Sequence, residues 1–206
     1  MKKTITLLMT IVYVSLNVSA QKEHQTLFGD EKLSVRGFLG LNIKGMELNN
    51  QIGILSGAEI NIVINHKFNV GFFGYGLLND VVNDNVVEGE RLYYEMGYGG
   101  LKLEPVIFSH NIVHLTLPIN IGAGGVSLNE NRPWDYYNYD WESTLYDYNT
   151  FVFVEAGLGL EINLFKNLRL NASAGYLFTD RINLSGNLMQ PLDGWTGNLS
   201  LRLGWF

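Results

Sequence analysis

Eight stretches of this chain alternate apolar and polar residues with a period of two. Period-two alternation is the signature of a strand with unlike faces. The stretches fall at about 33–44, 55–65, 68–79, 91–104, 112–124, 150–164, 167–179 and 196–206. In the last, Leu199, Leu201, Leu203 and Trp205 point one way; Asn198, Ser200, Arg202 and Gly204 point the other. In the sixth, Val152, Val154, Ala156, Leu158, Leu160 and Ile162 oppose Phe153, Glu155, Gly157, Gly159, Glu161 and Asn163. The third, with Phe72, Phe73, Tyr75, Leu77 and Leu78, breaks the pattern. Pro118 lies inside the fifth, where a bulge is expected because proline cannot donate to a ladder.

The connections sharpen the reading. Short ones at 65–67, near 109–111 and at 165–167 alternate with long ones at 45–54, 80–90, 125–149 and 180–195. An up-and-down barrel that spans an outer membrane alternates in this way. Strands of ten or so residues cross the hydrocarbon when tilted, and a sheet in lipid must close on itself because every amide needs a partner. A soluble eight-stranded barrel keeps its apolar residues inside. Here the other phase is polar and often charged, which suits a lumen and not a lipid-facing wall. The fold class is therefore all-β: a closed antiparallel up-and-down transmembrane β-barrel of eight strands.

The N-terminus reads as a targeting segment. Lys2 and Lys3 precede the mostly apolar run Ile5 to Val14, and Val18-Ser19-Ala20 supplies the small residues of a cleavage site. Residues 1–20 are expected to be a signal peptide and 21–206 the barrel domain, exported across the inner membrane of a Gram-negative cell. No cysteine is present to take a lipid or form a disulfide framework. Removal of Lys2 and Lys3 leaves 12 basic against 20 acidic residues. So acidic a chain, with no basic stripe, is a poor partner for nucleic acid.

The cleaved leader, eight strands, long outer loops and terminal Trp205-Phe206 resemble the OmpA/OmpX-type small outer-membrane barrels. The Gly-Tyr-Gly-Gly-Leu run at 97–101 and the glycine-rich run at 122–125 resemble barrel proteins of Bacteroidetes. The resemblance implies outer-membrane lipid and lipopolysaccharide as surroundings. It also implies recognition of the terminal aromatic by the outer-membrane assembly machinery. It carries no catalytic motif, and the sequence calls for no cofactor or metal.

The polar phase gives the candidate sites. Arg36, Glu104, Glu161, Arg169 and Arg202 are expected to form a lumen charge network at the periplasmic end. Glu59, Glu95 and Glu155 are expected to form an acidic vestibule toward the outer mouth, short of answering bases. Trp134, Tyr136, Tyr137, Tyr139, Trp141 and Tyr146, interleaved with acids, form a candidate extracellular binding loop, its ligand unidentified; aromatic rings give contact area at low entropy cost. An interfacial belt folded over the mouth accounts for the same residues. His66, His110 and His114 sit toward the periplasmic end, so no Ser-His-acid set assembles near the outer leaflet. The expected role is envelope structure or surface interaction through the loops; the alternative is a narrow channel for ions or very small solutes, although eight strands leave a bore that side chains fill. The mature chain should migrate faster on a detergent gel unheated than boiled; identical mobility, with a helical circular dichroism spectrum, would overturn the fold.

Overall fold

The computed structural model describes residues 33–87, 90–129, 145–180, 182–184, 187–189 and 192–206. The expected signal peptide and all the aromatics of the candidate loop except Tyr146 lie outside them; Tyr146 is described in its backbone alone. The described residues of the compact unit Ser34–Phe206 form twelve strands. They are β1 (Val35–Leu48), β2 (Gln51–Ile64), β3 (Phe68–Leu77), β4 (Val82–Val87), β5 (Glu90–Ile107) and β6 (Val113–Thr116). After these come β7 (Ile119–Asn129), β8 (Leu145–Phe165), β9 (Leu168–Thr179), β10 (Ile182–Leu184), β11 (Asn187–Met189) and β12 (Gly194–Trp205).

All pairings are antiparallel, and they form a ring. β1 pairs β2 and β12, β2 pairs β3, and β3 pairs β5. β5 pairs β6 and β7, both of which pair β8; β8 pairs β9, and β9 returns to β12. With β6 and β7 counted as one broken strand, this is a closed barrel of eight. Cα partners followed once around from Trp195 pass through Tyr176, Ala156, Ile119, Leu103, Val70, Ile62 and Gly37. They return to β12 at Trp205, ten residues from the start. A stagger of ten over eight strands, with ~3.3 Å rise and ~4.8 Å spacing, tilts the strands by about 40°.

The strands outrun the sequence expectation at the loop end. The supposed connection 45–54 is a two-residue turn, Asn49-Asn50, with φ of 51° and 59°. Both residues are in the left-handed region that a two-residue hairpin turn requires and that asparagine tolerates. The stretches 80–90 and 180–195 likewise contain β4, β10 and β11. The two glycine runs are not bulges, since the register holds through both. Gly100 and Gly122 are Cα partners, and a side chain on either would run into the other strand's backbone.

Pro118 produces a gap and not the expected bulge. Thr116 pairs Gly159 and Ile119 pairs Ala156, so no residue is inserted. Leu117 donates to Pro105 O and Gly157 donates to Pro118 O, and neither proline can return the bond. Two prolines in adjacent strands thus remove two ladder bonds side by side.

Outward residues form an apolar wall: Leu39, Leu41, Ile43, Ile60, Ile62, Phe72, Leu101, Ile121, Val152, Leu158, Leu160, Leu199, Leu201 and Leu203 are all exposed. Trp195 and Trp205 bound it on β12, about 25 Å apart along the axis at this tilt. Toward the loop end the arrangement inverts. Met46, Leu48, Leu55, Leu92, Tyr94, Met96, Val126 and Leu128 point inward and are buried. Glu47 and Ser56 point outward. β3, ambiguous in sequence, resolves with Phe73 and Tyr75 inward and Phe72 outward.

Replacing Pro118 with valine supplies the missing N–H for the Gly157 carbonyl. Urea stability should rise by about 1 kcal/mol, the net worth of one hydrogen bond. A loss of stability would mean that the gap is required by the packing.

Candidate functional site

The lumen of the terminal half is built on Arg202. Its position on β12 puts it in phase with Ser200 and Gly204, inward and fully buried. One guanidinium meets three carboxylates. Nε donates to Glu59 at 3.1 Å, Nη2 to Glu104 at 2.9 Å, and Nη1 to Glu104 at 2.8 Å and to Glu161 at 2.5 Å. Each carboxylate has a further cation. Glu161 takes Arg169 at 2.9 Å, and Lys102 reaches Glu59 at 2.6 Å and Glu104 at 3.3 Å. Ser200 and Asn61 add donors to Glu59, and Asn69 adds one to Glu104. Three cations balance three anions, the condition under which buried charges are tolerated.

A second pair lies nearer the loop end. Lys44 bonds Glu155 at 2.7 and 2.9 Å, while its ammonium sits 4.3 Å from the Tyr75 ring centroid. Thr196 and Asn120 also donate to Glu155. A cavity of about 20 Å³ lies beside this pair, room for about one water. Above it Phe73, Tyr75, Tyr98, Phe151 and Phe153 pack ring against ring, with centroids 5.1 to 6.4 Å apart. Between them the charge clusters and the ring stack fill the bore over the described residues.

Glycine makes room for these side chains. A Cβ on inward-facing Gly40 would stand 2.6 Å from Glu59 Cγ, so only glycine lets that carboxylate cross toward Arg202.

The structure brings Glu104, Glu161, Arg169 and Arg202 together and leaves Arg36 outside. Arg36 has the inward phase, but it sits on the first turn of β1, exposed at the rim, and donates through Nη1 to the Phe206 carbonyl. Phe206 itself turns inward, 8% exposed, and stacks on Phe38 and on the Arg169 guanidinium at 3.9 Å. The expected acidic vestibule is not formed. Glu59 belongs to the Arg202 cluster and Glu155 to Lys44. Glu95 faces outward, because an unbulged strand cannot place it on the same side as Lys102 and Glu104. Sequence reasoning missed Lys44, although it shares the even phase of Asn42 on β1. The inward His114 is also fully buried, opposite Glu161 on β8, and neither ring nitrogen has a hydrogen-bond partner among the described residues.

Among the described residues no three metal-ligating side chains converge. No protein family and no curated protein matches this sequence. Solved structures do share its fold. Neisserial surface protein A aligns with a TM-score of 0.51 and 13% identity over 85% of this chain and 99% of its own. A major outer membrane protein of Thermus thermophilus aligns at 0.53 and 11% identity, over 82% and 99%. The attachment invasion locus protein of Yersinia pestis, solved with a heparin analogue, aligns at 0.43 and 14% identity over 84% and 96%. At these identities the likeness is one of fold: both structures with a TM-score above 0.5 support the closed eight-stranded antiparallel barrel.

Removal of one partner from a buried ionic cluster costs about 3–5 kcal/mol, since the others stay buried and unpaired. Glu161→Ala should therefore lower the urea midpoint strongly, and Glu47→Ala on the exposed outer face should leave it unchanged. Equal midpoints would show that the cluster contributes nothing.

Proposed function

We propose that this chain is a non-enzymatic barrel of a Gram-negative outer membrane, reached by export, with a role in envelope structure or surface interaction through the loop end. The observation that carries the reading is the pairing of an apolar outer wall with a filled, charge-neutral bore. In water the wall would be an exposed apolar patch far larger than soluble proteins carry; in lipid it is the expected surface. The likeness in fold to an outer membrane protein of Thermus supports the placement. The filled bore argues against the channel alternative.

In this placement the loop end faces outward and the rim holding Phe206 faces the periplasm. Outer-membrane lipid and lipopolysaccharide surround the wall. Trp205, 72% exposed beside the buried Phe206, is the aromatic offered to the assembly machinery. A source among the Bacteroidetes rests on the two glycine runs alone. Exposed Glu47, Asp80, Asp180 and Asp193 make the loop end acidic. An acidic surface repels polyanions, so the outer partner is neutral or cationic, met by the aromatic stretch around Trp134 to Tyr146. Sulfated polysaccharide and nucleic acid are poor fits.

The purified chain should be silent in planar bilayers; steady single-channel steps would replace this function with that of a channel. On intact cells an impermeant thiol reagent should label cysteines placed at Asn131 and Gly186 but not one at Lys166. Labelling at Lys166 alone would invert the orientation.

A further inference from the structure

Among the described residues the two ends of the barrel carry opposite exposed charge. Every described, exposed acid lies at the loop end. Every described, exposed lysine or arginine lies at the other: Arg36 on β1, Lys67 in the β2–β3 turn and Lys166 in the β8–β9 turn. His66 and His110 are there too, their rings 6.5 Å apart. The described rim segments 33–36, 64–68, 105–113, 163–168 and 203–206 contain no Asp or Glu. The acids of the described residues next to these segments, Glu104 and Glu161, are fully buried and already paired. This one-sided field is felt locally: burial first, then the charges of Arg36, Arg169 and His110, hold the His66 imidazole below its ordinary value.

Within this rim Val35, Arg36, Lys166, Asn167, Trp205 and Phe206 line an open pocket. Its two cations have donors to spare. Arg36 spends one N–H on the Phe206 carbonyl and keeps four, and Lys166 has no ion pair or hydrogen bond among the described residues. Its apolar side is Trp205 at 72% exposure and Val35 at 58%, both on the outward wall. Cations at headgroup depth beside an indole and an aliphatic wall match an amphiphile with an anionic head.

We propose that this pocket binds the phosphate of an anionic membrane phospholipid between Arg36 and Lys166, its acyl chains lying along Trp205 and Val35. The proposal rests on the membrane placement above. A lipid held there lies in the leaflet on the side of Phe206, and its charge answers a rim whose described segments contain no Asp or Glu side chain.

Two reporters test it in the full-length chain. Both carry Trp134→Phe and Trp141→Phe; one adds Trp195→Phe, leaving Trp205, and the other adds Trp205→Phe, leaving Trp195. Each is refolded into phosphatidylcholine vesicles containing graded amounts of phosphatidylglycerol with brominated chains, which quench nearby indole. At low salt the Trp205 reporter should show a preference for phosphatidylglycerol about fivefold or more above that of Trp195. Arg36→Gln with Lys166→Gln should abolish the preference, and Arg36→Lys should retain it, since charge and not the shape of the guanidinium is at work. Heat-shifted gel mobility confirms that each variant is folded. Equal preference at the two tryptophans, or a preference that survives the double substitution, overturns the lipid site while leaving the membrane placement intact. Absence of quenching at both tryptophans in folded protein overturns the placement itself, and the site with it.

Discussion

A sheet without an edge fixes almost everything else in this molecule. Closure of eight strands at a stagger of ten sets the tilt and leaves a bore about as wide as the side chains that point into it. Whatever points inward must therefore fit, pair and neutralise within a fixed volume. Arg202 meets that demand by answering three carboxylates with one planar group whose donors fork in several directions. A lysine ammonium at the same place has three donors on a single nitrogen and could not span Glu59, Glu104 and Glu161. The inward glycine Gly40 follows from the same constraint: volume is given up on β1 so that a carboxylate from β2 can reach the centre.

The fold was legible because its wall alternates, and it was misjudged where the alternation changes meaning. Strand limits were set where apolar residues stopped recurring on the outward phase. At the loop end the inward phase becomes the apolar one, so Met46 and Leu48 continue β1 with the same period and the opposite assignment. Lys44 ends the first stretch of alternation on the inward phase of Asn42, yet at that boundary it is not counted among the lumen charges, and with it goes the partner of Glu155. The vestibule reading follows from leaving out a base that stands at the last position of the drawn strand.

Parity also explains Glu95. On β5 it stands an odd number of residues from Glu104, so grouping both inward asks one strand to face two ways without a bulge. Arg36 illustrates a different limit. Its phase is inward, but phase says nothing of depth, and a side chain at the first turn of a barrel strand emerges over the rim. The convergence of Glu59, Glu104 and Glu161 on one guanidinium depends on which strands become neighbours across the bore, a property of closure that no single strand displays.

The inversion of the apolar phase works as a ruler written into the chain. On one side of it the protein is an inside-out wall; on the other its inward face is a dry apolar core, while Glu47 and Ser56 stand outward beside exposed Ile52. A bilayer much thicker than the ~25 Å between the tryptophan belts would draw Glu47 and Glu95 into hydrocarbon, and one much thinner would leave leucine and isoleucine in water. Mismatch of this kind costs only fractions of a kcal/mol per Å, yet it sorts proteins among membranes of different thickness. Placed in an outer membrane as proposed, the chain would carry its thickness preference in the residue number at which inside and outside change places.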